Sequence, residues 1–86
     1  MSAFVKSKIR SALTPGCAVR IAREMQDLSQ NDLAKRCKIP QSTISGIEAN
    51  RISLGVERAA KLARALHVHP AVLLFPDWDI EKESAA

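Results

Sequence analysis

The segment Ser29–Glu48 constrains the fold most, because it predicts two short helices separated by a tight turn. Ser29 is a strong helix N-cap, and the negative charge of Asp32 favours the N-terminal end of the same helix. Pro40 disfavours helical conformation at the residue before it, so this helix must end near Cys37. A second helix begins at Pro40 or the residue after it. Only a fold that accepts two short helices in close succession fits this segment.

Helices are also predicted on both sides of this pair. Thr14 can cap a helix and Pro15 is tolerated in a first turn, so a helix is predicted to run to about Asp27. Its apolar residues recur at helical spacing and are expected to face the core: Ala18, Ile21, Ala22, Met25 and Leu28. A fourth helix is predicted from about Gly55 to His67, with its own apolar residues at Val56, Ala59, Ala60, Leu62, Ala63 and Leu66.

The chain is predicted to form one all-α domain, a compact five-helix bundle over residues 15–76. Its last helix starts at Pro70 and ends at Pro76. Residues 1–14 are predicted to form either a short extra helix or a basic arm. Residues 77–86 are predicted to form an acidic, flexible tail. At 86 residues the chain is long enough for one domain only.

Charge is divided unevenly along the chain. Up to Pro76, twelve lysines and arginines stand against five acids, a net charge of +7, whereas the tail carries −3. A basic body suits a polyanion, and a phosphate backbone is the commonest one. The alternative interpretation is a solvated surface that keeps the chain soluble.

Several classes of protein are disfavoured. Cys17 and Cys37 form neither a C-x-x-C motif nor a disulfide framework, and free buried thiols suit a reducing cytoplasm. No apolar run could span a membrane, and the start of the sequence lacks a secretory signal. His67 and His69 do not share a helix face, so we expect surface histidines and no metal. The sequence shows no carboxylate pair and no nucleophile constellation, so it does not predict an enzyme, and no cofactor is expected.

The second helix of the central pair carries polar and small side chains on the side away from its apolar residues. An α-helix fits the major groove of DNA, where side chains that donate and accept hydrogen bonds can read base edges. Gln41 can bind adenine with two hydrogen bonds, and Ser42, Thr43 and Ser45 are adaptable donors and acceptors. Gly46 is expected to let the helix backbone approach the DNA closely.

The runs LSQNDLAKR (residues 28–36) and IPQSTISGIE (residues 39–48) closely resemble the Cro/C1-type (XRE) helix-turn-helix family of phage repressors and bacterial regulators. The resemblance implies a bundle like that of the Cro and C1 repressors and a DNA-binding regulator. It departs from the family pattern at Pro40, where a serine or threonine cap is usual, and at Gly46, where a longer side chain is common.

The resemblance also implies roles for single residues. Gln30 is implied to bind a DNA phosphate, while Gln41, Ser42 and Ser45 face bases. Thr43 and Arg51 match positions often near the backbone; Thr43 is also counted among the base readers. Glu48 is implied to be structural, paired with Arg23 or Arg36. The basic run Lys35, Arg36 and Lys38 is interpreted either as a phosphate-contacting flank or as a solvated face.

An apolar closing segment indicates a partner, because exposed apolar patches usually mark interfaces. Leu73, Leu74, Phe75 and Trp78 are the predicted dimerisation residues, and the resemblance also implies a homodimer. The predicted function is a dimeric repressor on a short palindromic operator in double-stranded DNA. The alternative is an antitoxin that neutralises a protein toxin and represses its own operon, with the acidic tail as toxin contact. A third hypothesis is an interaction module that never binds DNA.

Overall fold

The computed structural model describes residues 13–77, and the elements in that range are five helices. They are α1 (Pro15–Met25), α2 (Gln30–Cys37), α3 (Gln41–Glu48), α4 (Gly55–Leu66) and α5 (Pro70–Leu74). The predicted all-α, five-helix architecture is confirmed. The predicted extra helix or arm lies outside the described residues except for its last two, and so does the acidic tail beyond Asp77.

The helix starts follow the capping residues of the sequence. The Thr14 hydroxyl accepts a hydrogen bond from the backbone N–H of Cys17 at 3.1 Å. At the start of α2, Ser29 and Asp32 form a reciprocal capping box, with both N–H···O distances at 3.0 Å. The pKa of Asp32 is lowered, chiefly by the hydrogen bond from the Ser29 backbone N–H and next by hydrogen bonding with the Ser29 side chain. α3 follows Pro40, which offers no side-chain cap.

Four junctions contain a non-glycine residue with a positive φ: Asp27 (55°), Lys38 (59°), Asn50 (62°) and His67 (58°). Lys38 and His67 are the C-cap residues of α2 and α4. A left-handed residue reverses the chain within a few positions and satisfies backbone carbonyls at the helix end. These junctions therefore allow five short helices to pack within 65 residues.

The core is formed by apolar residues from all five helices. The largest of those that are almost completely buried are Val19, Leu33, Ile44, Ile47, Leu62, Leu66 and Leu73. α4 packs against α2 and α5, and α1 packs against α3 and α5. No helix in the described range is long and apolar enough to cross a membrane.

Two predictions about buried faces are wrong. On α1, Ile21 is 42% and Met25 80% exposed, whereas Val19, which was not predicted, is fully buried. The buried face is rotated because α1 must contact both α3 and α5, which the spacing of its own residues does not reveal. Val56, in the first turn of α4, is 75% exposed because it lines an open cleft beside α3.

Gly16 sets the distance between α1 and α3. A Cβ atom at this position would lie 2.0 Å from the carbonyl oxygen of Ile47 and 2.8 Å from Oδ1 of Asn50. No side chain fits there, so the first turn of α1 rests directly on the last turn of α3. This contact fixes one end of α3 against the body of the domain.

Candidate nucleic-acid interface

α3 presents one polar side to solvent and buries the opposite side. Ile44 and Ile47 lie in the core, whereas Gln41 and Ser42 are exposed and Ser45 is half-buried. At about 100° per residue, positions 41, 42 and 45 fall within one arc of the helix. Thr43 is half-buried and lies beside this arc, towards α4. The structure therefore brings three of the four predicted base readers onto one surface and places the fourth at its edge.

Gly46 does not belong to this surface, which corrects the expectation that it lets DNA approach the helix backbone. It is buried, and a Cβ there would lie 2.5 Å from Cδ1 of Ile52. The backbone N–H groups of Arg51 and Ile52 both donate to the Gly46 carbonyl, at 2.8 and 3.1 Å. Gly46 is buried because the loop after α3 folds back and the Ile52 side chain covers it.

A chain of hydrogen bonds connects α1, α2 and α3 behind the exposed surface. The Glu48 carboxylate accepts from Nε of Arg23 at 2.8 Å, from its Nη2 at 2.9 Å and from Nε2 of Gln30 at 3.1 Å. The Arg23 guanidinium also donates to the Leu28 carbonyl at 2.7 Å. The side chains of Arg23 and Glu48 are 11% and 5% exposed. Hydrogen bonding to Glu48 raises the pKa of Arg23, so the guanidinium stays charged.

The pairing settles which partner Glu48 has. Sequence left Arg23 and Arg36 as alternatives, and Arg23 is the partner. Arg36 is exposed in the last turn of α2, at the end of that helix away from Gln30.

Gln41 is joined to this chain at its outer end. Its Nε2 donates to Oε1 of Gln30 at 2.7 Å, and Gln30 in turn donates to Glu48. A carboxylate can only accept, so Glu48 fixes the orientation of the Gln30 amide, and Gln30 fixes that of Gln41. One N–H and the Oε1 of Gln41 have no partner among the described residues and can bind a ligand. No sequence rule pairs residues eleven positions apart in different helices, so this contact could not be predicted.

The other predicted phosphate-binding residues are exposed but scattered. Lys35 and Arg36 lie in the last turn of α2, Lys38 lies in the turn before α3, and Arg51 follows α3. Within the described range, no hydrogen bond or ion pair joins these residues to one another or to Gln30.

One predicted dimerisation residue is wrong. Leu73 is completely buried in the core, because α5 packs against α1 and α4 on the side that carries it. Leu74 is half-buried, Phe75 is 55% exposed, and Trp78 lies outside the described residues.

The two histidines lie at the ends of α4 and α5, as surface residues of a helix junction. His67 closes α4, and Nδ1 of His69 accepts from the backbone N–H of Ala71 at 3.0 Å. Both histidines are exposed. Of the cysteines, Cys37 is buried as expected, whereas Cys17 is only half-buried; both are free thiols.

Comparison with known proteins agrees with this arrangement. Residues 19–73, more than half of the chain, match the family described as Helix-turn-helix. Among solved structures, the chain is similar to the hypothetical transcription factor NHTF from Neisseria, with 24% identity and a TM-score of 0.67, over 83% of this chain and 78% of that one. No curated protein matches the chain. The chain therefore belongs to the Cro/C1-type helix-turn-helix family, a family of DNA-binding transcriptional regulators.

Proposed function

We propose that this regulator is a homodimeric repressor that binds a short palindromic operator, with α3 of each protomer in the major groove. The observation that carries the proposal is the hydrogen-bond chain from Arg23 through Glu48 and Gln30 to Gln41. It holds an amide in a defined orientation at the exposed N-terminal end of α3. A side chain that is oriented before binding loses less conformational freedom when it contacts a base.

Gln41 is the principal base reader in this proposal. A glutamine recognises adenine by donating to N7 and accepting from the N6 amino group. Gln41 retains one N–H and its Oε1 for these two bonds while its second N–H stays on Gln30. Ser42 and Ser45 read neighbouring positions, and Thr43 contacts the edge of the site.

Gln30 contributes to backbone binding. It is the first residue of α2, and the N-terminus of a helix favours an anion. Its side-chain oxygen accepts from Gln41 and one side-chain N–H donates to Glu48, so the second N–H is available for a phosphate. Arg51, Lys35, Arg36 and Lys38 are the other proposed phosphate contacts.

The proposed dimer uses the outer side of α5. Phe75 and Val72 are 55% and 52% exposed there, and Leu74 is half-buried beside them. In a twofold dimer on B-DNA the two α3 helices must lie about 34 Å apart to enter successive major grooves. Selection of bound sequences from a random DNA pool tests this arrangement, because a dimer predicts an inverted repeat with half-sites one helical turn apart.

The substitution Gln41→Ala tests the base reader. It should relax the selected sequence at one position in each half-site and weaken cognate binding by about 1–3 kcal/mol. Gln26→Ala is the matched control: it removes the same side chain from a residue that bonds the Leu66 carbonyl, at the end of α4. The control can lower stability but should leave the selected sequence unchanged. An unchanged selected sequence for Gln41→Ala would show that the reading surface is assigned wrongly.

A further inference from the structure

An open cleft of about 630 Å³ lies between the start of α3 and the start of α4. Lys38, from the turn before α3, and Thr43, from α3 itself, line one side. Arg58 and Lys61 line the other side, one helical turn apart on α4.

The charge and walls of the cleft define what it can bind. Lys38, Arg58 and Lys61 are exposed cations, and Glu57 is the acid among the lining residues, so the cleft carries a net positive charge. Nη1 of Arg58 donates to the Ser53 carbonyl at 3.1 Å, which holds this side chain beside the loop. The rest of the lining is largely apolar, with Leu54 and Pro40 among the residues. Such a surface fits a ligand that alternates anionic groups with apolar rings, as the sugar–phosphate backbone of DNA does.

The position of the cleft relative to α3 decides which strand it meets. On one flank of α3, Gln41 and Glu48 are hydrogen-bonded to Gln30. On the other flank, Thr43 lines the cleft and Gly46 lies against Ile52. α3 is about 12 Å long, and the major groove is about 12 Å wide with a phosphate backbone along each edge. A helix seated in the groove therefore has one backbone on each flank.

We propose that Arg58 and Lys61, together with Lys38, bind the backbone of the DNA strand on the flank of α3 opposite Gln30. This inference rests on the proposed function and extends it, because it gives the recognition helix a backbone clamp on both sides. Contacts to phosphate position the helix in the groove without reading sequence.

The test is the double variant Arg58→Ala/Lys61→Ala, measured by fluorescence anisotropy on a labelled random-sequence duplex and on the selected operator, from about 50 to 200 mM salt. The slope of log K against log salt is negative, and each lost phosphate contact makes it less steep by about 0.9. The slope should become less steep by about 1.8, and affinity near 0.1 M salt should drop by up to roughly 60-fold on both duplexes. Arg64→Ala is the matched control, since Arg64 is an exposed cation on α4 that does not line the cleft.

A second variant changes the charge in the opposite direction. Glu57→Gln removes the acid from the cleft and should strengthen binding to both duplexes. Thermal unfolding of every variant identifies any loss of fold. Replacing Arg58 also removes its hydrogen bond to the Ser53 carbonyl, which can loosen the loop, whereas Glu57→Gln leaves that bond intact. Suppose that wild type binds DNA but the double variant keeps the wild-type salt slope, or that Glu57→Gln does not strengthen binding. Either result shows that the cleft does not bind the DNA backbone, and an acidic protein segment becomes its better partner. If wild type binds neither duplex, the proposed function itself fails.

Discussion

Replacing Glu48 with glutamine tests whether the Arg23–Glu48 pair holds the helix-turn-helix together. Glu48→Gln keeps the size of the side chain but removes its charge and one of its two acceptor oxygens. Three N–H groups point at that carboxylate within 3.1 Å, and the new amide would turn a donor towards them. The guanidinium of Arg23, 11% exposed, would lose its nearest counter-charge and keep only the exposed Glu24, 4.0 Å away.

The size of the effect follows from burial. Removing one partner of a buried ion pair typically costs about 3–5 kcal/mol, because the remaining charge stays desolvated. The slight exposure of Arg23 and its retained bond to the Leu28 carbonyl favour the lower end of that range, about 3 kcal/mol. For a domain of this size, that loss lowers the unfolding midpoint by roughly 12–24 °C. Urea unfolding followed by circular dichroism measures the free energy directly.

Glu24→Gln is the control, because it makes the same chemical change at an exposed acid of the same cluster, whose carboxylate lies 4.0 Å from Nη2 of Arg23. Glu24 lies 3.4 Å from Nε of Arg20, with side chains 53% and 62% exposed. An exposed pair contributes less than about 1 kcal/mol, so this variant should unfold close to wild type. If Glu48→Gln were no more destabilising than Glu24→Gln, the Arg23–Glu48 pair would not secure α3.

Two further predictions concern the frame around the site. Gly16→Ala should destabilise the fold by about 1–3 kcal/mol in urea unfolding, because its Cβ meets the Ile47 carbonyl. Gly46→Ala should stay within about 1 kcal/mol of wild type, because only the Ile52 side chain must move. Equal losses of stability in the two variants would contradict this prediction. The pKa of Asp32 lies below its ordinary 3.8, so its stabilising effect is present above that pH and is lost as pH falls through the lowered value. The unfolding midpoints of wild type and Asp32→Asn should therefore differ at pH 7 and converge in acid; a difference independent of pH would exclude the charged capping box as its source.

The elements of this fold could be predicted because their boundaries are set by local chemistry. Ser29 and Asp32 cap α2 through bonds within four residues, and Pro40 separates α2 from α3. Asn50 has the left-handed conformation expected of an asparagine at a helix end. Each of these effects acts over a few positions, so no knowledge of the tertiary structure is needed.

What could not be predicted depends on contacts between helices. An amphipathic stripe fixes the buried side of α1 only approximately, and packing against α3 and α5 selected Val19 over Met25. Leu73 and Phe75 look alike in sequence, yet one is buried in the core and the other is exposed. Gly46 was interpreted as an opening towards DNA because nothing in the sequence shows that Ile52 folds over it.

The left-handed backbone at Lys38 links stability to binding at a single position. A lysine in this conformation costs about 1 kcal/mol more than a glycine, which has no Cβ to clash. Glycine would close α2 with less strain, but it would remove a positive charge from the cleft beside α3. Under the proposed binding mode, thermal stability and DNA affinity therefore favour different residues at this turn. The lysine gives the cleft a positive charge at a small cost in stability.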